Sequence, residues 1–324
     1  MGIRSGRVRR ALLAALVTGA VVVPVSAAAH PAVPAPAPAH LGPVTAATLG
    51  TAYRKNRATA ARAAETAAAH GDRHRARALR GMASTGREFL TFDARGAGRA
   101  AEVFGDLTHA DRIAVLVPGS DTSIDTYDRF RAGARALHDR LGDRAAVVAW
   151  LGYETPGTVS AAVATTGRAE DAAPELVRFI GKLRDIAPGS TVSLLCHSYG
   201  SVVCGRAAPR FRGAARVCDL VLIGSPGTGA DSAAGLGTPA TVWAGRGGDD
   251  WIADVPHVRT DLFGLFDSAL GFGADPVSRS FGAHVFAAGD GGHSDYFRPG
   301  SPSLANLARI ALGRYADVTE VSHG

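Results

Sequence analysis

Ser198, Asp250 and His293 are the side chains of this sequence whose types and chain order could carry out acyl transfer. Ser198 lies in the run Cys-His-Ser-Tyr-Gly at 196–200, between an apolar segment and a segment of small residues. A buried strand, a sharp turn with serine at its apex and a following helix form a nucleophile elbow. We therefore interpret Ser198 as a nucleophile, provided that the rest of the chain supplies a base, an acid and oxyanion donors.

The other two residues have defined chemical roles in this hypothesis. A serine hydroxyl is a weak nucleophile near neutral pH unless a base removes its proton. His293 is the predicted base, because imidazole can both accept and return a proton near neutral pH. A carboxylate must orient that imidazole and stabilise its charged form. Asp249 and Asp250 compete for this role, and we prefer Asp250 because Ile252, two residues later, directs the chain back toward the core.

Three further histidines could act as the base instead of His293. His257 follows the predicted acid too closely, and His284 lies within a predicted strand. His197 adjoins the nucleophile, but its side chain should lead away from the active face, so we expect it to pack. His293 is preferred because it lies in a glycine-rich loop, where an exposed catalytic imidazole can be placed.

Acyl transfer also requires donors for the oxyanion and a surface for the substrate. Two backbone N–H groups usually supply the donors. The amide of Tyr199 directly follows the nucleophile, and Ser120, after a Pro-Gly turn, is the expected second donor. Tyr153, Trp251 and Phe297 are candidate substrate contacts. The apolar segment at 262–272 is either a lid or acyl-binding element or part of the core.

The chain has three cysteines, Cys196, Cys204 and Cys218. A disulfide is permitted in an exported protein. Cys204 is expected on the helix after the elbow and Cys218 just before the next strand, so a Cys204–Cys218 bridge would join neighbouring elements. Cys196 would then be a buried free thiol beneath the nucleophile, although all three pairings are open. No C-x-x-C pair is present, and we expect neither a zinc site nor another cofactor.

The segments that must position these residues alternate between strand and helix. Strands are predicted at 88–92, 100–104, 113–117, 145–150, from 191 to the elbow, and at 220–223, 240–244 and 281–286. Helices are predicted at about 125–141, from the 151–156 loop through 183, after the elbow and at 303–313. Repeated strand–helix units with apolar strands predict an α/β domain with a mostly parallel sheet. Ligands bind beyond the carboxyl ends of such strands, where the candidate residues lie.

The N-terminal part of the chain divides into three segments before this domain, which we place at 85–324. Residues 1–29 resemble a signal peptide, with four arginines, an apolar run and small residues at the candidate cleavage site. Residues 30–43 are a Pro/Ala-rich linker, which we interpret either as an extended spacer or as a disordered leader that is left after processing. Residues 44–84 are rich in Ala and Arg and predict two helices, broken near 70–72, that lie against the domain. An uncleaved membrane anchor is the alternative for the first segment.

The net charge of +6 is unevenly distributed along the 324 residues. The segment before residue 44 carries +4 and residues 44–84 carry another +6, so the remainder has a net charge of −4. A mildly acidic body argues against nucleic-acid binding, and no nucleic-acid-binding motif is present.

Several motifs together resemble one known family. They are P-G-S at 118–120, W-L-G-Y at 150–153, C-H-S-Y-G-S at 196–201, G-S-P-G at 224–227, V-W-A-G-R at 242–246, D-W-I at 250–252 and H-S-D-Y-F at 293–297. The set is similar to an actinobacterial α/β-hydrolase family catalogued as a domain of unknown function, over about 111–314. The resemblance implies an α/β-hydrolase fold with a Ser-Asp-His triad at Ser198, Asp250 and His293. Cys196 and Trp251 depart from the Gly and Pro that the family more often has, and the resemblance supplies no substrate.

These patterns together predict an exported serine hydrolase that acts through an acyl-enzyme, with a carboxylic ester as the preferred substrate. We expect a small-molecule or lipid-like acyl substrate and a secreted or cell-envelope-associated protein. The alternatives are an acyltransferase or peptidase that uses the same triad, and a surface-binding module without catalysis.

Overall fold

The computed structural model describes residues 33–158, 160, 165–211, 216–255 and 272–321. Three features predicted from sequence lie outside these ranges: the signal peptide at 1–29, His257, and the apolar segment at 262–272 except for its last residue.

A mixed sheet forms the centre of the fold. Its strands and those of a small second sheet are β1 (Glu88–Asp93), β2 (Arg99–Phe104), β3 (Arg112–Val117), β4 (Ala145–Leu151), β5 (Thr191–His197), β6 (Val217–Ile223), β7 (Gly227–Ala230), β8 (Thr241–Gly245), β9 (Phe272–Gly273) and β10 (His284–Val285). Within the described residues the main sheet has eight strands in the order β1-β2-β4-β3-β5-β6-β8-β10, and β7 pairs with β9. β1 and β2 form an antiparallel pair and β2 is antiparallel to β4, whereas the other neighbours in the main sheet are parallel. The predicted mostly parallel α/β fold is therefore confirmed.

Helices cover the faces of this sheet. They are α1 (Leu49–Ala69), α2 (Arg73–Met82), α3 (Tyr127–Leu141), α4 (Gly167–Ile186), α5 (Gly200–Ala207) and α6 (Pro302–Ala311). The helix predicted from about 125 begins instead with a 3₁₀ turn at Ile124–Thr126, because the Ser123 side chain caps that turn.

The core consists of two apolar layers, one on each side of the sheet. Ile113, Val115 and Val117 of β3 lie in one layer, and Ala114 and Leu116 lie in the other. Successive side chains of a strand point to opposite faces, so an uninterrupted apolar strand fills both layers. The central strands are thereby fixed in register, and their carboxyl ends meet along one edge of the sheet.

The N-terminal helices α1 and α2 pack against the domain, as predicted. The Asn56 side chain donates to the Phe89 carbonyl at 2.7 Å. Arg75 of α2 pairs with Asp125 at 2.7 Å and donates to the Ala94 carbonyl at 2.6 Å. Several alanines of both helices and two larger apolar residues of α2, Leu79 and Met82, are buried in the core layer that contains Ala114.

The described part of the predicted linker, 33–43, also lies against the domain. Val33 and Ala35 pack on the same core layer as α1 and α2. The Lys55 amino group donates to the His40 carbonyl at 3.2 Å. This part is therefore not a free spacer, contrary to our expectation, because its apolar side chains pack against the domain. Among the helices that are described, none is long and apolar enough to cross a bilayer.

Candidate active site

The elbow between β5 and α5 holds Ser198 in an unusual backbone conformation. Its φ angle of +53° lies in the left-handed region, which non-glycine residues rarely adopt. The Ser198 N–H donates to the Ile223 carbonyl at 2.9 Å, and the Ser201 N–H donates to the Ser198 carbonyl at 2.9 Å. Such a conformation costs about 1–3 kcal/mol and persists only where neighbouring structure determines it. The turn thus presents the serine side chain beyond the carboxyl end of β5.

Two glycines permit the close approach of chain segments around this serine. A Cβ atom at Gly200 would lie 2.6 Å from the Val117 carbonyl oxygen, so no larger residue fits there. A Cβ atom at Gly119 would lie 2.5 Å from the Cβ of Ser198. The turn after β3 is therefore packed directly against the nucleophile elbow.

Ser198, His293 and Asp250 form a continuous hydrogen-bonded chain. The Ser198 Oγ lies 2.9 Å from His293 Nε2, and His293 Nδ1 lies 2.8 Å from Asp250 Oδ1 and 3.1 Å from Oδ2. The Asp250 side chain is fully buried, whereas Asp249 is exposed, and among the described residues the carboxylate paired with His293 is that of Asp250. The structure thus brings together the three residues predicted from sequence and separates Asp249 from them.

Asp250 accepts hydrogen bonds from other groups in addition to His293. Its Oδ1 accepts the Ile252 N–H at 2.9 Å. The Ile252 side chain is buried, as the preference for Asp250 assumed. Asp250 Oδ2 accepts the Tyr296 hydroxyl, which in turn accepts the Gly247 N–H at 3.1 Å. Burial alone would raise the pKa of Asp250, but the hydrogen bonds from His293, Tyr296 and the Ile252 amide outweigh it and lower that pKa below its usual value. The carboxylate is therefore ionised at neutral pH.

His197 does more than pack, contrary to our expectation. Its Nε2–H donates to the His293 carbonyl at 2.7 Å, and the two rings lie 4.8 Å apart. Burial, followed by the proximity of His293, lowers the pKa of His197 to about 4. A neutral His197 therefore fixes the backbone of the loop that carries His293, the predicted base.

Tyr296 and His197 are the two residues around the triad whose contacts sequence reasoning did not predict. Tyr296 already belongs to the H-S-D-Y-F motif, and a buried tyrosine hydroxyl nearly always needs a polar partner. This rule could have indicated that the Tyr296 hydroxyl has a polar partner near His293. His197 offered none, because its partner is a backbone carbonyl 96 positions away in the sequence.

The two expected oxyanion donors lie next to Ser198 in the sequence or in space: Tyr199 follows it directly, and Gly119, which precedes Ser120, packs against it. In the described part of the chain, neither the Tyr199 N–H nor the Ser120 N–H is engaged by another protein group. The turn before Ser120 is clamped to the loop after β4: the Tyr153 hydroxyl donates to the Pro118 carbonyl at 2.6 Å, and the Asp121 N–H donates to the Pro156 carbonyl at 3.0 Å. The turn that carries Ser120 is thus fixed to the loop after β4 and lies against the elbow.

The three candidate substrate contacts have different surroundings. Tyr153 is only 3% exposed and stacks on Trp150, so it supports the turn before Ser120 and does not line an open surface. Phe297 is partly buried and packs against Gly133 of α3. Trp251 is 49% exposed, and its ring lies 4.6 Å from that of His293. Trp251 is thus the most exposed of the three and the one whose ring lies against that of His293.

The disulfide joins Cys196 to Cys204, with Cα atoms 6.4 Å apart. Our predicted Cys204–Cys218 bridge is therefore wrong, and so is the prediction of a free thiol at Cys196. Cys218 is the free cysteine and is half-buried at the start of β6. β6 runs parallel to β5, so its first residues lie at the sheet edge opposite the elbow. Cys204 lies only one helical turn beyond the elbow, which brings it to Cys196.

No cluster of three or more metal-ligating side chains occurs in the part of the chain that the structure describes. Ser198, His293 and Asp250, at the carboxyl edge of the sheet, are instead hydrogen-bonded to one another.

A family profile described as alpha/beta hydrolase matches residues 93–260, which is just over half of the chain. The chain belongs to the alpha/beta hydrolase family. The matched span includes Ser198 and Asp250 and ends before His293.

The chain is also similar to mycobacterial proteins of unassigned role. It is 31% identical over 247 residues to the uncharacterized protein Rv2079 of Mycobacterium tuberculosis, a match that covers 67% of this chain and 37% of that relative. It is 34% identical over 186 residues to the uncharacterized protein Mb0988c of Mycobacterium bovis, covering 52% of this chain and 66% of that one. The chain thus spans just over a third of the first relative and about two thirds of the second.

Among solved structures, the fold is similar to XC6422 from Xanthomonas campestris, described as an a/b serine hydrolase without lid. That match has a TM-score of 0.43 and 18% identity, and covers 72% of this chain and 96% of the other. An esterase from Pyrobaculum calidifontis matches with a TM-score of 0.41 and 17% identity, covering 72% and 85% of the two chains.

Proposed function

We propose that this protein is a serine hydrolase that cleaves carboxylic esters through an acyl-enzyme at Ser198. The observation that carries the proposal is the chain of hydrogen bonds from Ser198 Oγ through His293 to the buried Asp250. A nucleophile hydrogen-bonded to a base, which a third group orients, is the arrangement that activates serine.

Acylation follows from these contacts. As Ser198 Oγ attacks the acyl carbon, its proton passes to His293 Nε2 across the 2.9 Å contact. The carbonyl π electrons move onto oxygen, and the N–H groups of Tyr199 and Ser120 stabilise that charge. Asp250 stabilises the imidazolium through Nδ1 without taking its proton. When the tetrahedral intermediate collapses, the bond to the alcohol breaks and the alcohol leaves with the proton from Nε2.

Deacylation repeats these steps with water. His293 takes a proton from the water as the water oxygen bonds to the acyl carbon. Collapse of the second intermediate breaks the bond to Ser198 Oγ, which recovers the proton from His293. The carboxylic acid product leaves, and the enzyme returns to its starting state.

Esters are the preferred substrate class because an ester carbonyl is less stabilised by resonance than an amide carbonyl, and an alkoxide is a better leaving group than an amide anion. Acyl transfer and peptide cleavage with the same triad are the alternatives. A panel of p-nitrophenyl esters of increasing acyl length, assayed beside peptide substrates, tests the choice. We expect ester turnover that is lost in Ser198→Ala and kept in Ser201→Ala, a second serine of the same elbow. Peptide turnover without ester turnover would contradict the proposal.

We also propose that the protein acts outside the cytoplasm. Residues 1–29 have the pattern of a signal peptide. The buried Cys196–Cys204 bridge supports an oxidising compartment, because disulfides seldom persist in the cytosol. Fractionation of expressing cells, with N-terminal sequencing of the product, should find the protein in the envelope or medium. A product that stays in the cytosol with an intact N-terminus would contradict this proposal.

A further inference from the structure

The Cys196–Cys204 bridge spans the nucleophile itself. It joins the residue two positions before Ser198 to the residue six positions after it, so the elbow lies inside a closed loop. Both cysteines are fully buried, and Cys196 lies in the core layer that also contains Val192 and Leu194 of β5. The bridge therefore ties the end of the strand to the first turns of α5.

The helix that this bridge holds is intrinsically weak. α5 has eight residues, of sequence Gly-Ser-Val-Val-Cys-Gly-Arg-Ala. Helices this short are marginal on their own, and glycine and β-branched residues lower helix propensity further. Its position must therefore come from tertiary contacts, among which the bridge is the only covalent one within the described residues.

Two reactive features depend on where α5 begins. Ser198 adopts its left-handed conformation immediately before the helix, and the Tyr199 N–H lies at the helix N-cap. A shift of α5 would move the nucleophile away from His293 and the amide away from the oxyanion position together. A nucleophile misplaced by about 1 Å can lose roughly 100-fold in rate.

The first position of the usual elbow motif is glycine, which can make no such bond. Here Cys196 occupies that position, and its buried side chain is bonded to Cys204 of α5. We propose that Cys196 and Cys204 are positioning residues for the proposed reaction: their disulfide holds the elbow so that Ser198 Oγ and the Tyr199 N–H are aligned for attack. This inference rests on the proposed serine hydrolase activity.

Two bond-free variants and one control test it. Cys196→Ser with Cys204→Ser removes the bond with little change in volume. Cys196→Gly with Cys204→Ala also removes the disulfide, and it restores the usual glycine at the first elbow position. Comparison of the two pairs distinguishes the effect of losing the disulfide from the effect of side-chain size. Cys218→Ser removes the free thiol at the other sheet edge as a matched control. For each protein, kcat and KM for p-nitrophenyl butyrate and the rate of fluorophosphonate labelling are measured at 25 °C. These are normalised to the folded fraction by circular dichroism.

We expect both bond-free variants to lose about tenfold in kcat and in labelling rate, with KM within twofold of wild type, and Cys218→Ser to match wild type. If one pair does not fold, the other gives the same comparison. Bond-free variants that melt at lower temperature but keep wild-type kcat would overturn the inference and leave the proposed function standing. Wild-type protein without labelling or turnover would instead refute the proposed function, and this inference with it.

Discussion

Replacement of Tyr296 by phenylalanine tests how the triad acid is held. The hydroxyl donates to Asp250 Oδ2 and accepts the Gly247 N–H, and the side chain is 3% exposed. The substitution leaves Oδ2 with only the 3.1 Å contact to His293 Nδ1 and leaves the Gly247 N–H without its acceptor. A hydrogen bond to a charged group contributes about 1.5–3 kcal/mol, so the free energy of unfolding should fall by that order.

Part of this loss should appear in catalysis, because Asp250 must keep His293 oriented during proton transfer. If about 1.4 kcal/mol of it is lost in the transition state, kcat falls about tenfold. The assay compares kcat, KM and thermal unfolding of wild type and Tyr296→Phe with a p-nitrophenyl ester.

Tyr127→Phe is the matched control for this change, because Tyr127 is also buried, at 2% exposed. Its hydroxyl donates to the Ala149 carbonyl of β4 at 3.4 Å, so its loss leaves the hydrogen bonds of Asp250 intact. This variant should lose stability and keep its kcat. If Tyr296→Phe behaves in the same way, with kcat within twofold of wild type, the reasoning about Asp250 is wrong.

Three further changes probe other parts of the site. Asp250→Asn should lower kcat by about 10⁴-fold, as expected when the orienting carboxylate is lost. Asp249→Asn should keep kcat within twofold of wild type. Equal losses of kcat in the two variants would contradict the choice of Asp250 as the acid. Tyr153→Phe, which frees the Pro118 carbonyl, should lower kcat several-fold at constant KM, whereas a change in KM alone would indicate a substrate contact. His197 binds its proton more weakly in the folded protein, with a pKa of about 4 against about 6.5 when unfolded. The folded state should therefore lose stability as pH falls from 6.5 toward 4. In thermal melts, His197→Gln should weaken this dependence of stability on pH, and an unchanged dependence would show that another group is responsible.

The sheet and the chain order of the reactive residues were predictable because they depend on local patterns. Apolar runs such as 113–117 and 191–196 are strands in the structure as the sequence indicates. Parallel strands align their carboxyl ends, so residues that follow different strands meet at one edge. This geometry brings Ser198 and Asp250 close together although 52 positions separate them in the sequence.

The disulfide could not be predicted by the same reasoning, because pairing depends on distances within a few ångströms. Our choice of Cys204 and Cys218 followed which elements are neighbours. It overlooked the direction of the strands, which places Cys218 at the far edge from the elbow. The contacts of His197 and Tyr296 escaped prediction for a related reason, since they depend on how the loop that carries His293 folds back over the elbow.

The nucleophile itself is tested most directly by mapping the adduct of a fluorophosphonate on the native protein by peptide mass spectrometry. We expect a single adduct on the peptide that contains Ser198. We also expect no adduct in Ser198→Ala and an undiminished adduct in Ser201→Ala. A folded wild-type protein that is not labelled, or an adduct that persists in Ser198→Ala, would contradict the assignment of Ser198 as the nucleophile.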